Sequence, residues 1–287
     1  MITIMGITGQ VGSALAGKLL ADGQQVRAIV RDTVKAGSWA KQGCELALAD
    51  ANDADALATA FAGSDSVFIL LPPNFAPSKG FPETRRIVDA LHAALKKANP
   101  KKVVCLSTIG AQATQDNLLN QLQMMEKSFA DLTMPVAFIR AAWFMENFIW
   151  DIDPAETTGT IPSFLQPLDK PVPMIATRDI ATVAARLLQE DWSGHRVIEL
   201  EGARITPEQI AADFSRLLDK PVQMQVIARD AWEGIFQSQG IAYPLPRMQM
   251  LDGFNEGWIE FEGNHTEHLT GTTTFAEVMA EKLQSMN

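Results

Sequence analysis

Along the first 140 residues, short apolar runs alternate with stretches in which apolar side chains recur every three or four positions. The runs Ile2 to Met5, Gln25 to Val30, Cys44 to Leu48, Ser66 to Leu71, Lys102 to Leu106 and Val136 to Ile139 are brief and rich in β-branched residues, which predicts six strands. Between them lie helical patterns. One follows Asp53 with Leu57, Ala58 and Phe61 and stops at Gly63; another runs from Thr84 to Lys97 through Ile87, Val88, Leu91 and Leu95 and stops at Asn99-Pro100. Strand and helix in strict alternation predict the α/β class, a doubly wound parallel sheet covered by helices on both faces.

After Arg140 the rhythm changes. Aromatic residues gather at Trp143, Phe144, Phe148 and Trp150, and a turn-rich stretch follows with Pro154, Gly159, Pro162, Pro167, Pro171 and Pro173. The chain then returns to the first pattern with a helix over Arg178 to Glu190, capped by Thr177 or Asp179, and a strand over Val197 to Leu200. Thr206-Pro207-Glu208-Gln209 reads as a helix start, with Thr206 and Gln209 forming a capping box and proline at the first helical position. Val222 to Ile227 reads as one more strand. These changes predict a sheet domain of residues 1-152 and 174-203, and a second, smaller α+β lobe of residues 153-173 and 204-287.

Composition narrows the functional classes. The 287 residues carry a formal net charge of −10, with 47% hydrophobic and 20% charged positions, an ordinary balance for a globular chain. The acidic excess argues against direct nucleic-acid binding, which needs clustered Lys and Arg to neutralise phosphates. No stretch approaches the roughly 20 apolar residues of a membrane span, and the first apolar run ends after five residues without a leader pattern. A cytoplasmic setting is expected. Cys44 and Cys105 fall at or within predicted strands and are expected to be reduced core residues. His265 and His268 lie three apart, but Gly263-Asn264 beside them signals a loop, so no metal site is expected.

The candidate chemistry starts at Gly6-Ile7-Thr8-Gly9-Gln10-Val11-Gly12, directly after the first strand and at the opening of a helical pattern carrying Leu15 and Leu19. Glycines there let the backbone turn tightly and approach a pyrophosphate, whose charge meets the free N–H groups of the helix. Gly6, Thr8, Gly9, Gln10, Val11 and Gly12 are therefore the candidate cofactor loop. At the end of the second strand the chain reads Arg31 where an acidic residue would bind ribose hydroxyls. A guanidinium there favours a 2′-phosphate, hence NADPH, with NADH possible; the alternative is a solvated Arg31 with Asp32 capping the next helix. Asp50 could accept from the adenine amino group or form a turn. Leu71 and Pro72 leave the fourth strand beside the same cleft. Ser107 and Thr108 end the fifth strand, where a hydroxyl could bond a substrate carbonyl or satisfy strand-end backbone.

The loop from Gly6 to Gly12, Arg31, Ser107-Thr108 and above all Arg140-Ala141-Ala142-Trp143-Phe144-Met145-Glu146-Asn147-Phe148 resemble the NmrA-like branch of atypical short-chain dehydrogenases, and within it the small bacterial NAD(P)H:quinone reductases. His268-Leu269-Thr270-Gly271-Thr272-Thr273-Thr274-Phe275 resembles the start of that group's last helix. The resemblance implies a Rossmann fold, a nicotinamide cofactor and either reduction of a quinone or dye, or redox sensing without turnover. One departure stands out. Short-chain reductases use Tyr-x-x-x-Lys, whereas the matching positions here are Leu118 and Leu122, and the single tyrosine is Tyr243. Reduction of a simple carbonyl is not expected; a quinone, whose reduced anion is delocalised, needs chiefly positioning.

Phe144, Asn147 and Phe148 are the candidate substrate residues, the rings for stacking and the amide for a carbonyl oxygen, while Trp143 and Trp150 read as the seam between the lobes. The expected activity is an NADPH-dependent reductase of a small planar aromatic acceptor. The alternative is a non-catalytic NAD(P)-binding regulator acting through a protein partner. A homodimer is compatible with either.

Overall fold

The computed structural model describes residues 1–286. In chain order the strands are β1 (Ile2–Met5), β2 (Val26–Val30), β3 (Glu45–Leu48), β4 (Ser66–Ile69), β5 (Lys102–Thr108), β6 (Val136–Ala141), β7 (Trp143–Phe144), β8 (Thr160–Ser163), β9 (Val172–Ile175), β10 (His195–Glu201), β11 (Ala203–Ile205), β12 (Gln223–Val226) and β13 (Glu267–Thr270). The helices are α1 (Gln10–Ala21), α2 (Gly37–Lys41), α3 (Ala54–Phe61), α4 (Pro82–Ala98), α5 (Asn120–Phe129), α6 (Ile152–Thr158), α7 (Thr177–Gln189), α8 (Pro207–Leu218), α9 (Trp232–Ser238), α10 (Leu245–Glu256) and α11 (Phe275–Met286), with a 3-10 helix at Met145–Asp151. No helix among them is long and apolar enough to cross a membrane.

Eight strands form one parallel sheet in the order β13-β10-β6-β5-β4-β1-β2-β3. The chain winds outward from β1 through β2 to β3, then crosses back to β4 and winds the other way. That reversal puts a crevice between the C-terminal ends of β1 and β4, the place where open α/β sheets bind ligands. Every residue of β1, β4 and β6 is buried, as strands covered on both faces must be.

One face packs on α1 and α7 through Leu15, Leu19, Ala184 and Leu188; the other packs on α3, α4 and α5 through Phe61, Leu91, Leu95 and Phe129. A third core, built on Phe214, Trp232, Phe236, Phe254 and Phe275, belongs to the second lobe. There β11-β9-β7 and β12-β8 make two small sheets. The capping box at Thr206 forms as the sequence predicts, and Asp53 caps α3 by accepting from the amides of Asp55 and Ala56.

Three expected details differ. The fourth strand stops at Ile69, and Leu70 and Leu71 turn out of the sheet ahead of Pro72-Pro73. Residues 268–270, which resemble a helix start, are instead the edge strand β13, so a segment expected in the second lobe adds a strand to the main sheet; the last helix begins at Phe275. Leu118 lies just before α5 rather than within it.

The closest backbone approach is at Gly12. A methyl group there would stand 2.0 Å from the Gly6 carbonyl oxygen, whereas one at Gly17, on the exposed side of α1, would meet nothing within 4 Å. Gly12→Ala is expected to cost about 2 to 3 kcal/mol in urea unfolding, and Gly17→Ala to stabilise by about 0.5 to 1 kcal/mol. Similar effects at both positions would contradict this packing.

Candidate active site

At the end of β1, Gly6 takes φ +77°, a left-handed value that disfavours side chains. Its carbonyl accepts from Gly9 N at 2.9 Å, closing the turn, and Gly9 then serves as the N-cap of α1 with extended backbone and no side chain to cap the helix. The first-turn amides of Gln10, Val11 and Gly12 have no intrahelical acceptor. Thr8, Gly9 and Gln10 are exposed while Val11 and Gly12 are buried. The result is an uncapped helix start opening on the β1/β4 crevice, suited to an anion. Across the crevice, the Leu70 side chain comes within 3.3 Å of where a Gly6 Cβ would be. Leu71, half-buried, and Pro72, exposed, follow on the same rim.

Arg31 directly follows β2, is exposed, and makes no hydrogen bond or ion pair among the described residues. Asp50 lies close to it. Its carboxyl is held below the usual range first by the Asn52 amide and the Asn52 side chain, at 2.9 and 2.8 Å, and further by the charge of Arg31. Asp50 thus forms the turn that its sequence context allows, with Arg31 in electrostatic reach. Asp32 Oδ1 accepts from the amides of Val34 and Lys35, capping the turn rather than α2, whose N-cap is Ala36.

Beyond β4, the hydroxyls of β5 are already engaged. Ser107 is buried and donates to Glu126 Oε1 at 2.5 Å; Thr108, half-buried, donates to the Ile109 carbonyl at 3.1 Å. Glu126 in turn accepts two bonds from Arg140, at 3.1 and 2.8 Å, and Arg140 reaches Glu262 at 2.7 Å. Arg140 is 7% exposed. The residues at the Tyr-Lys positions, Leu118 and Leu122, are buried and half-buried and offer no proton.

The 3-10 helix Met145–Asp151 arranges the aromatic segment. Its repeat of three puts Met145, Phe148 and Asp151 on one face and Asn147 and Trp150 on another. Phe148 is accordingly 8% exposed and meets Phe275 edge-on at 5.5 Å, a place in the second-lobe core. Asn147 is exposed and its side chain has no hydrogen bond among the described residues. Trp150 is 84% exposed, so it is no part of the seam expected of it. Trp143 does pack there, edge to face with Phe254 at 5.1 Å. Phe144, half-buried on β7, rests against the core of the main sheet.

Three polar groups were given no structural role in the sequence reading: Glu126, Glu146 and Glu262. A signal existed for the first, because an arginine at the end of a central strand must be buried and so must be paired. Its partner at residue 262, 122 positions away, left no local trace.

The model of the NmrA-like family matches residues 1–274 of this chain. Quinone oxidoreductase 2 of Escherichia coli K12 is 29% identical over 286 residues, covering 96% of each chain. The NAD(P)H azoreductase of Xenophilus azovorans is 27% identical, over 88% of this chain and 87% of its own. The crystal structure of an NADPH-dependent quinone oxidoreductase from E. coli complexed with NADPH superposes over 100% of both chains, with TM-score 0.80 and 25% identity.

Burial of Asp151 gives a pH test. It pushes the carboxyl from 3.8 up to about 7. Between those limits the unfolded chain releases a proton that the folded chain keeps, so stability falls as pH rises through this window and levels off above it. Asp151→Asn should melt higher than the parent at about pH 8 and together with it at about pH 4. An equal gap at both pH values would refute the assignment.

Proposed function

The chain belongs to the NmrA-like family, and from that premise we propose that it is an NADPH-dependent reductase of a quinone or related planar aromatic acceptor. The observation that carries this reading is the uncapped start of α1 held at the β1/β4 crevice by the Gly6 turn. The quinone and azo reductases among its relatives support it. When bound, the nicotinamide supplies the hydride. The amides of Gln10 to Gly12 hold the pyrophosphate, with Thr8 and Gly9 exposed beside it. Arg31, with no competing partner, takes the 2′-phosphate and so prefers NADPH to NADH, while Asp50 borders the adenosine end. Leu71 and Pro72 line the channel toward the nicotinamide.

Acceptor binding falls to Phe144 and Asn147, the ring as a wall and the amide as donor to a carbonyl oxygen. Ser107 donates its hydroxyl hydrogen bond to Glu126 and serves as a strand-end anchor. Without a tyrosine acid the protein's contribution is proximity and exclusion of water, and solvent protonates the delocalised product anion. The cofactor domain in this reading comprises residues 1-152 and 174-203 with β13 added, and the remainder closes over it.

The test is titration of the purified protein with NADPH and NADH, followed by loss of the reduced-nicotinamide absorbance with a panel of quinones. Saturable turnover is expected. Tight binding without turnover would assign the chain to redox sensing through a protein partner. Arg31→Asp should weaken NADPH binding by about 30-fold and NADH binding by no more than about threefold, the worth of charge-assisted bonds to one phosphate. Equal losses would remove Arg31 from the phosphate site.

A further inference from the structure

One buried carboxylate is unused by the reading above. Glu146, the second residue of the 3-10 helix, is 5% exposed. Its Oε1 accepts from Thr177 N at 2.9 Å and from Thr177 Oγ1 at 2.6 Å, and its Oε2 is buried with no hydrogen-bond partner among the described residues. Thr177 is the first residue of α7. Taking a carboxylate out of water costs several kcal/mol, and two donors at a helix N-terminus offset part of that. A neutral side chain would fill the space without the cost. What the carboxylate adds is a fixed direction.

Its location shows what that direction controls. α7 lies on the main sheet beside α1, sharing one core with Leu15 and Leu19 through Ala184 and Leu188. The 3-10 helix buries Met145 and Phe148 in the other core, that of the second lobe. Among the described residues, the two bonds of Glu146 are the side-chain hydrogen bonds that tie this helix to anything else. Phe144 stands two residues before Glu146 and Asn147 one residue after. We propose that Glu146 is a positioning residue: it locks the acceptor-contacting pair Phe144 and Asn147 to the helix that packs against the cofactor helix, and so sets the distance between acceptor and nicotinamide. This rests on the reductase reading.

The experiment compares Glu146→Ala, Glu146→Gln and Thr177→Ala with the parent in NADPH oxidation with menadione, alongside NADPH affinity from fluorescence titration and folding from circular dichroism. Misplacing reacting groups by a fraction of an ångström to an ångström costs about ten- to a hundredfold. Glu146→Ala is expected to lose about tenfold or more in kcat/KM for menadione, through both constants, with NADPH affinity within about twofold of the parent. Glu146→Gln keeps Oε1 and is expected to recover activity to within about threefold; Thr177→Ala, which removes one of the two bonds and retains the amide, should fall between. A folded Glu146→Ala with unchanged acceptor constants overturns the proposal, as does a Gln variant as impaired as Ala, or a parallel loss of NADPH affinity. If Ala fails to fold, the order parent, Gln, Thr177→Ala decides alone. A parent that binds NADPH but reduces no quinone removes the reductase reading and this proposal with it; an active parent with indifferent variants removes only the proposal.

Discussion

Everything at the C-terminal edge of the sheet depends on how closely α1 presses on the turn before it. With the Gly6 oxygen standing 2.0 Å from where a Gly12 Cβ would lie, the helix sits closer to the turn than any side chain at that position would allow. Its first-turn amides therefore face the crevice before any ligand arrives, and α7, packed alongside α1, inherits the same fixed position. Preorganisation of this kind spares binding the cost of ordering the loop.

A second constraint shapes the far side of the crevice. Arg140, at the end of β6, is bound by Glu126 from α5 and by Glu262 from the segment ahead of β13. Glu199 on β10 is fully buried and accepts from Glu262 N, Gly263 N and Thr266 Oγ1 at 2.6, 3.1 and 2.9 Å. Two neighbouring strands thus hold one loop, β6 through the buried Arg140 guanidinium and β10 through the buried Glu199 carboxylate. Removing either partner would strand a charge, so the network enforces one arrangement more than it adds net stability. It engages the Ser107 hydroxyl as well, so the hydroxyl that the sequence offers to a substrate carbonyl is already bonded to Glu126.

Most of the sheet was legible because buried parallel strands are written as uninterrupted apolar runs, and the turn from Gly6 to Gly12 because its glycines sit between a strand and a helix. β13 was not legible: an edge strand beginning Glu267-His268 buries little and carries no strand signature. Trp150 misled for a different reason. In a cluster of four aromatics the side each ring faces depends on the helix repeat, and a repeat of three, not read from the sequence, turned Trp150 and Asn147 outward and Met145 and Phe148 inward. Arg140 stood in the motif that carries the family resemblance, yet its role lay in Glu262 and Glu126, contacts that only the fold creates.

In the proposed reaction hydride passes to the acceptor with no proton supplied by the protein. Isotope effects on kcat/KM distinguish this route, comparing NADPH deuterated at the transferred position with turnover in heavy water. A normal primary effect of about two or more is expected, with a solvent effect close to one. A solvent effect as large as the primary one, accompanied by loss of rate through the titration of a single protein group, would contradict it.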